Sequence, residues 1–377
     1  MGIFGAFSLM ISLSACTSEV DQKSGIDRIP IDAVGMIMVS PMQPPIDSNL
    51  DKTTLIAFNE KGEDIGRLAG GAVENGKFIS LNNRVVTASS SLISVLTESS
   101  REDTTIDENI IESLVQSPDG DNSAIWFNSG SIDGTYSTRY AVLNSDNKVH
   151  IVHIPGMALS SAFCDDVLYA VVEDLSDLSW DGPTTKRLYK IEDGQVGDPI
   201  SEWRSPSGER PATPVAVCSE DGTSMASPYV SPPIGSADER YLSIVELDLV
   251  SGSRDSHKVD LLGHSWRMST GALYSTGERN YWPTTEGAIL SASIQNPEAV
   301  KIEWTLPISP MSSAISISGS EVLQVNLEGV PRLHVYDLFT GASTRDTVDL
   351  PWLEDIVGST TESGKSLYTI TDLNLLN

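Results

Sequence analysis

The stretch that decides the fold is residues 333–368, LHVYDLFTGASTRDTVDLPWLEDIVGSTTESGKSLY. Leu333-His334-Val335-Tyr336 alternates with the period of two expected of a strand, and Thr340-Gly341 supplies a tight turn into a second strand near Leu350. A short crossing follows, and Glu362-Ser363-Gly364 marks a turn between two further strands. Two strands, a crossing and two more strands make a unit. Versions of it recur back to about residue 55.

Two signals repeat. Glycine or acidic turns fall at Gly76, Gly120, Asp166, Gly222, Gly277, Gly319 and Gly364, with separations of 44, 46, 56, 55, 42 and 45 residues. Such residues supply positive φ or local capping in hairpins. The mean step of 48 residues fits one four-stranded propeller blade. Hairpins follow most of these turns at 140–154, 188–203, 241–262, 288–306 and 333–350, with a weaker copy at 84–96. No window carries a long helical stripe, so the expected class is all-β, a seven-bladed β-propeller with four-stranded blades.

The ends define the closure. The chain opens on a hairpin at 55–68 and closes on a turn pair at 356–371, so seven blades require the N- and C-terminal strands to share one. The expected split gives two inner strands to the C-terminus and two outer strands to 55–68. Sharing a blade removes the open edges of the ring. Residues 31–42 are apolar enough for one more strand, which either replaces one of these four or adds a fifth.

Seven such units over about residues 50–377 resemble a bacterial lipid-anchored β-propeller lipoprotein, of the group spanning YVTN-type and quinoprotein-dehydrogenase-like propellers. Ser117-Pro118-Asp119-Gly120 is similar to the turn of TolB-type repeats, and no Gly-His…Trp-Asp pairing of the WD-repeat kind is present. The resemblance implies the fold. It transfers no functional residue.

The first residues give an address. Gly2 to Ala15 is apolar and uncharged, and Leu13-Ser14-Ala15-Cys16 resembles a bacterial lipobox. At ~15 residues the run is too short to span a bilayer and reads as a removable signal. Residues 1–15 are therefore expected to be a signal peptide, Cys16 the lipidated residue, 16–50 a tether and 51–377 the propeller. No Lys or Arg precedes the apolar run, so the natural start is expected upstream of Met1. The expected location is the cell envelope, at the outer face of the cytoplasmic membrane, periplasmic or on the cell surface. Cys164 and Cys218 each end a strand before an acidic turn in neighbouring repeats. A disulfide between them is geometrically conceivable, and two buried thiols fit the sequence equally.

Charge narrows the partners. With 24 basic and 52 acidic residues the net charge is −28, which repels nucleic acid; no basic stripe exists to neutralise phosphates. Membrane contact is expected through the lipid anchor only.

Strand alternation places the first–second and third–fourth turns of every blade on one face and the second–third and blade-to-blade loops on the other. The second set is longer, and long loops on a rigid ring are where binding usually sits. They carry Tyr136, Trp180, Arg204, Arg210, Tyr229, Arg240, Trp266 and Arg267, of the types enriched at binding hot spots. For each Trp the competing reading is a plug between blades. The expected ligand is a protein, peptide or glycan, with no cofactor and no metal.

Gly222-Thr223-Ser224-Met225-Ala226-Ser227-Pro228 resembles the nucleophile segment of subtilisin-like peptidases, in which Ser224 would attack. The mechanism also needs a His base oriented by a carboxylate. The upstream histidines, His150 and His153, share one short strand on opposite faces, and Pro228, Pro232 and Pro233 forbid the helix that follows the serine in that family. Peptidase activity is rejected. The remaining alternatives are an exported propeller enzyme, lactonase-like or quinone-dependent, and a structural subunit of an envelope complex. Acidic or His side chains converging on the axis would favour the enzyme; a channel of Ser and Ala would favour binding.

Overall fold

The computed structural model describes residues 25–42, 50–73, 76–90, 92–106, 110–132, 135–176, 182–206, 208–231, 241–259, 274–276, 278–284, 286–293, 296, 299–307, 313–364 and 366–376. Cys16, Trp180, Arg240, Trp266 and Arg267 lie outside them. Seven antiparallel four-stranded blades form a ring. Blade 1 contains Phe78–Leu81, Arg84–Ala88, Leu92–Thr97 and Arg101–Thr105, in order from the axis outward. Blade 2 contains Ile111–Gln116, Ser123–Ile132, Thr135–Leu143 and Val149–Pro155. Blade 3 contains Met157–Cys164, Val167–Asp174 and Thr184–Glu192, with an outer edge divided into Gln195–Val196 and Ser201–Ser205. Blade 4 has an inner edge divided into Arg210–Pro211 and Val217–Cys218, then Ser224–Ser231, Tyr241–Asp248 and Arg254–Lys258. Blade 5 contains Tyr274–Ser275, Arg279–Pro283, Ala288–Ser293 and Val300–Thr305, and blade 6 contains Ser313–Ser318, Glu321–Asn326, Arg332–Asp337 and Val348–Asp349.

The closing blade is shared by both ends, but in a ratio of one to three. Tyr368–Leu375 is its innermost strand, and Gly35–Pro41, Lys52–Phe58 and Asp64–Gly71 follow outward. The expected two-plus-two split is corrected here, and the 31–42 segment replaces a strand. Of the expected inner pair at 356–371, the residues before the Gly364 turn do not form a strand. Pro351 offers no N–H to a ladder and instead starts a short 3-10 turn, Pro351–Leu353. Gly35–Pro41, buried along its whole length, fills that place.

At each end one expected turn lies in a link between blades: Gly364 precedes Tyr368–Leu375, and the other is at Gly76. Glu74-Asn75-Gly76 was expected to join two strands of a blade, yet Gly76 lies in the link from the closing blade to blade 1. It is a glycine for close approach: a Cβ there would stand 2.2 Å from Ser40 Oγ. The true first turn of blade 1 is Asn82-Asn83. The weaker hairpin at 84–96 is likewise the second and third strands of blade 1, because its outermost strand, Arg101-Glu102-Asp103-Thr104-Thr105, is largely exposed and lacks an apolar signature.

Apolar clusters fill the gaps between blades rather than the axis. Between blades 2 and 3, for example, Trp126 stacks on Tyr140 with ring centroids 5.5 Å apart, beside buried Ile154, Phe163, Ala170 and Val172. Each larger aliphatic or phenyl side chain among them contributes about 1.5–3 kcal/mol on burial. Both faces of a middle strand are therefore covered, which explains why Arg84–Ala88 is buried throughout instead of alternating.

The rim repeats one device. The third–fourth turn of a blade rests on the outer part of the preceding blade, through a glycine at positive φ. Gly62, Gly194, Gly252 and Gly341 have φ of 76°, 70°, 72° and 70°. A Cβ on them would meet Asp349 O at 2.0 Å, His150 Cβ at 2.9 Å, Ser201 Cβ at 2.6 Å and Trp304 Cδ2 at 2.6 Å. Only glycine meets both demands.

Candidate functional site

The ring encloses a central cavity of about 900 Å³, walled by the innermost strands. Small hydroxyl side chains recur along it, among them Ser80, Ser113, Ser275, Ser316, Ser318 and Thr371. Its two most distinctive polar groups close the ring. Asp372 lines the cavity and is half-buried; its Oδ2 accepts from the Phe78 backbone N–H of blade 1 at 3.1 Å, and its Oδ1 accepts from the Leu373 N–H at 2.9 Å. Burial raises its pKa, opposed by nearby Lys77. On the other side of the same strand, Asn374 Oδ1 accepts a hydrogen bond from Ser318 Oγ of blade 6. Among the described residues no group of three His, Cys, Asp or Glu is placed to hold a metal.

Four of the expected long-loop site residues, Tyr136, Arg204, Arg210 and Tyr229, lie within the described chain, and the last of them is not on the loop face. Tyr136 begins the third strand of blade 2, and its hydroxyl donates to Asn128 Oδ1, which also accepts from the Gly130 N–H at 3.0 Å. Asn128 Nδ2 donates in turn to Glu112 Oε1 at 3.0 Å, so Tyr136 braces its own loop. Arg204 and Arg210 are exposed on either side of the crossing from blade 3 to blade 4. Tyr229 is different. It belongs to the second strand of blade 4 and is 1% exposed, inside the gap between blades 3 and 4.

That gap holds a polar layer that the sequence reading missed. Glu209, 6% exposed, sits at its centre. It accepts from Arg254 Nη2 at 2.8 Å, Ser205 Oγ at 2.6 Å and Ser231 Oγ at 3.3 Å. Lys186 is fully buried; its Nζ donates to the Glu209 carbonyl, lies 3.8 Å from Glu209 Oε2 and stands 5.5 Å over the Tyr229 ring. Burial lowers Lys186 to about 8, against the raising pull of Glu209 and Glu173. Glu173, cross-strand from Lys186, accepts from Thr184 Oγ1 at 2.6 Å. Burial pushes the Tyr229 hydroxyl upward; Ser160 lies beside it, but no hydrogen bond forms. The signal in the sequence was the pattern Thr184-Thr185-Lys186-Arg187-Leu188, where the polar residue at 186 occupies the alternation site of an inward-facing one.

The subtilisin-like segment is a propeller turn. Gly222 (φ 67°) ends the first turn of blade 4 and Ser224 opens the next strand, with its Oγ donating to Glu246 Oε1 at 2.8 Å. Ser219-Glu220-Asp221-Gly222 and Ser117-Pro118-Asp119-Gly120 use the same bonds. In each, the Ser hydroxyl donates to the Asp, the Gly N–H donates to the Ser carbonyl at 3.0 Å, and the Ser Oγ accepts from the N–H five residues on. These hydroxyl bonds hold Asp119 and Asp221 below the usual carboxylate range. The acidic turns are thus self-satisfied turns.

Cys164 and Cys218 form a disulfide, Cα–Cα 5.4 Å. It joins the innermost strands of blades 3 and 4, reinforced by Ser161 N–H to Pro214 O at 3.0 Å and Ala216 N–H to Ser161 O at 2.9 Å. The inner edge of blade 4 needs the staple, since each of its halves pairs through only two residues.

No protein-family model matches the chain, and no curated protein matches its sequence. Solved structures with similar folds include the dihydro-heme d1 dehydrogenase NirN (13% identity, TM-score 0.49, covering 87% of this chain and 77% of that one). The apo form of AztD from Citrobacter koseri shares 11% identity at TM-score 0.46, over 84% of this chain and 95% of that one. A putative 6-phosphogluconolactonase from Bacteroides uniformis shares 15% identity at TM-score 0.46, over 85% and 98%.

Proposed function

We propose that this chain is an exported, lipid-anchored propeller that binds a protein, peptide or glycan on its long-loop face and performs no chemistry of its own. The observation that carries the reading is how the axis uses its polar groups. Asp372 and Asn374 tie the closing strand to blades 1 and 6, and small hydroxyls recur along the wall, which also carries Lys77, Gln116, Asp165 and Glu220. The acid and the amide of the closing strand are engaged in ring closure, and Asp165 and Glu220 lie at the turns of blades 3 and 4 rather than along their strands. Arg204 and Arg210, by contrast, are exposed at the two ends of the crossing from blade 3 to blade 4. The disulfide supports export, because such bonds persist in oxidising compartments.

Two measurements test this. Metabolic labelling with a fatty acid should mark the wild-type chain and leave Cys16→Ala unmarked; equal labelling removes the anchor. Envelope ligands captured by the intact protein should be lost with Arg204→Glu/Arg210→Glu and kept with Glu98→Lys on the opposite face. Loss with both, or with neither, removes the loop-face assignment. Turnover of a lactone or quinone-linked substrate by the purified chain would favour the enzyme instead.

A further inference from the structure

We infer that the anchored ring stands edge-on, with the junction of blade 1 and the closing blade at the lipid surface and the loops of blades 3 and 4 farthest from it. This rests on the lipid-anchor reading above and adds a direction to it. The described chain enters at Gly25, which bridges Arg67 on the outermost strand of the closing blade. Ile26 donates to Arg67 O at 2.9 Å and is 9% exposed, among Leu68, Phe78 and Leu96 in the gap between the closing blade and blade 1. Ile29 then donates to Thr97 O at 2.7 Å, at the third–fourth turn of blade 1, and Val34 to Phe58 O at 2.9 Å. The entry point is therefore held by backbone bonds to two blades. It lies on the rim, on the side of the short turns.

Only nine Cα steps separate Cys16 from Gly25. Fully extended they reach about 30 Å, so the rim at this junction cannot lie farther than that from the lipid. In a ring of seven, blade 4 is diametrically opposite this junction. Two further features choose an edge-on posture over one lying flat on the short-turn face. That face carries Asp119, Asp121, Asp165, Asp166, Glu220 and Asp221 on consecutive inner turns of blades 2 to 4, which anionic headgroups repel. Beside the entry point, Ile31 is 97% exposed, an apolar side chain suited to the lipid boundary. The tether holds one edge down despite exposed Asp27, Asp32 and Glu98 there, and the opposite edge is left free to turn away. Arg204 and Arg210, at the blade 3–4 crossing, then project outward from the membrane.

The test uses the full lipidated chain in vesicles of zwitterionic and anionic lipid with a headgroup-borne quencher. A fluorophore is attached through Glu98→Cys, beside the tether's docking site, or through Pro206→Cys, at the blade 3–4 crossing; the native Cys164 and Cys218 are already bridged. The expected result is at least threefold stronger quenching at position 98 than at 206. Equal quenching, or stronger quenching at 206, overturns the orientation while leaving the anchor intact. Absence of fatty-acid labelling on the wild type, or vesicle binding unchanged in Cys16→Ala, refutes the anchor itself and the orientation with it.

Discussion

Trp352 Nε1 donates to the carbonyl of Gly62 at 2.8 Å, across a sequence separation of 290 residues. The same bond occurs one blade earlier, where Trp304 Nε1 donates to Leu338 O at 2.8 Å. In both cases an indole from the outer part of one blade, or from the crossing just beyond it, grips the third–fourth turn of the next. Trp304 and Trp352, which were not among the expected ligand contacts, are plugs with a hydrogen-bonding purpose, whereas Trp180 and Trp266, for which plug and contact compete, lie outside the described residues. Trp352–Gly62 matters most, since it locks the C-terminal crossing to the N-terminal hairpin beside the shared blade.

Replacing that glycine should weaken closure. Gly62→Ala meets both a positive φ and a Cβ position 2.0 Å from Asp349 O, and is expected to lower stability by about 3 kcal/mol. Gly358→Ala, with φ 81° and nothing within 4 Å, should cost about 1 kcal/mol. Denaturant unfolding of the two variants distinguishes them; equal losses would mean that the latch carries no load. Trp352→Phe, which keeps the ring and loses the donor, should cost about 1 kcal/mol.

The disulfide closes a separation of 54 residues, for which the chain-entropy relation gives about 4 kcal/mol. Cys164→Ser/Cys218→Ser should fold with a lower Tm. Hydrogen exchange should rise first at residues 212–219, where the inner edge of blade 4 is divided. Uniform exchange across all blades would argue against a local role for the staple.

The buried polar layer makes a pH prediction. Lys186 titrates near 8 in the folded chain and near 10.5 unfolded, so between these values the unfolded state binds more protons. Stability from this group therefore rises with pH through that window, by on the order of 3 kcal/mol. Lys186→Met should flatten the rise and be close to neutral or stabilising at pH 7, because it removes a buried charge while Arg254 still pairs Glu209. Glu209→Gln should be far more damaging, by about 3 kcal/mol, since it removes the buried carboxylate that accepts from Arg254, Ser205 and Ser231 and offsets the Lys186 charge. Urea titrations at pH 7 and pH 10 would show it. A Lys186→Met loss equal to that of Glu209→Gln would refute the argument.

Ser224 gives a chemical prediction. Its hydroxyl is bonded to a carboxylate rather than an imidazole, so a fluorophosphonate should leave it unlabelled, and Ser224→Ala should cost no more than about 1 kcal/mol. Mass-spectrometric detection of an adduct at Ser224 would reopen the peptidase reading.

The sequence determined what is periodic and local. A repeat near 48 residues, turn residues suited to hairpins and a pair of mismatched ends specified seven blades and a shared one, because strand alternation and turn chemistry act over a few residues. It failed where the deciding forces join distant segments. Whether Gly35–Pro41 or the residues between 356 and the Gly364 turn become a closing strand depends on which can bury both faces and donate to a ladder. Gly76 reads as a turn from its neighbours but is glycine because Ser40 approaches it. Tyr229 looks like a loop aromatic beside Pro228 and Ser231, yet it is enclosed by Lys186 from the preceding blade. Packing between blades made these choices, and residues far apart in the chain carry no mark of one another until the ring closes.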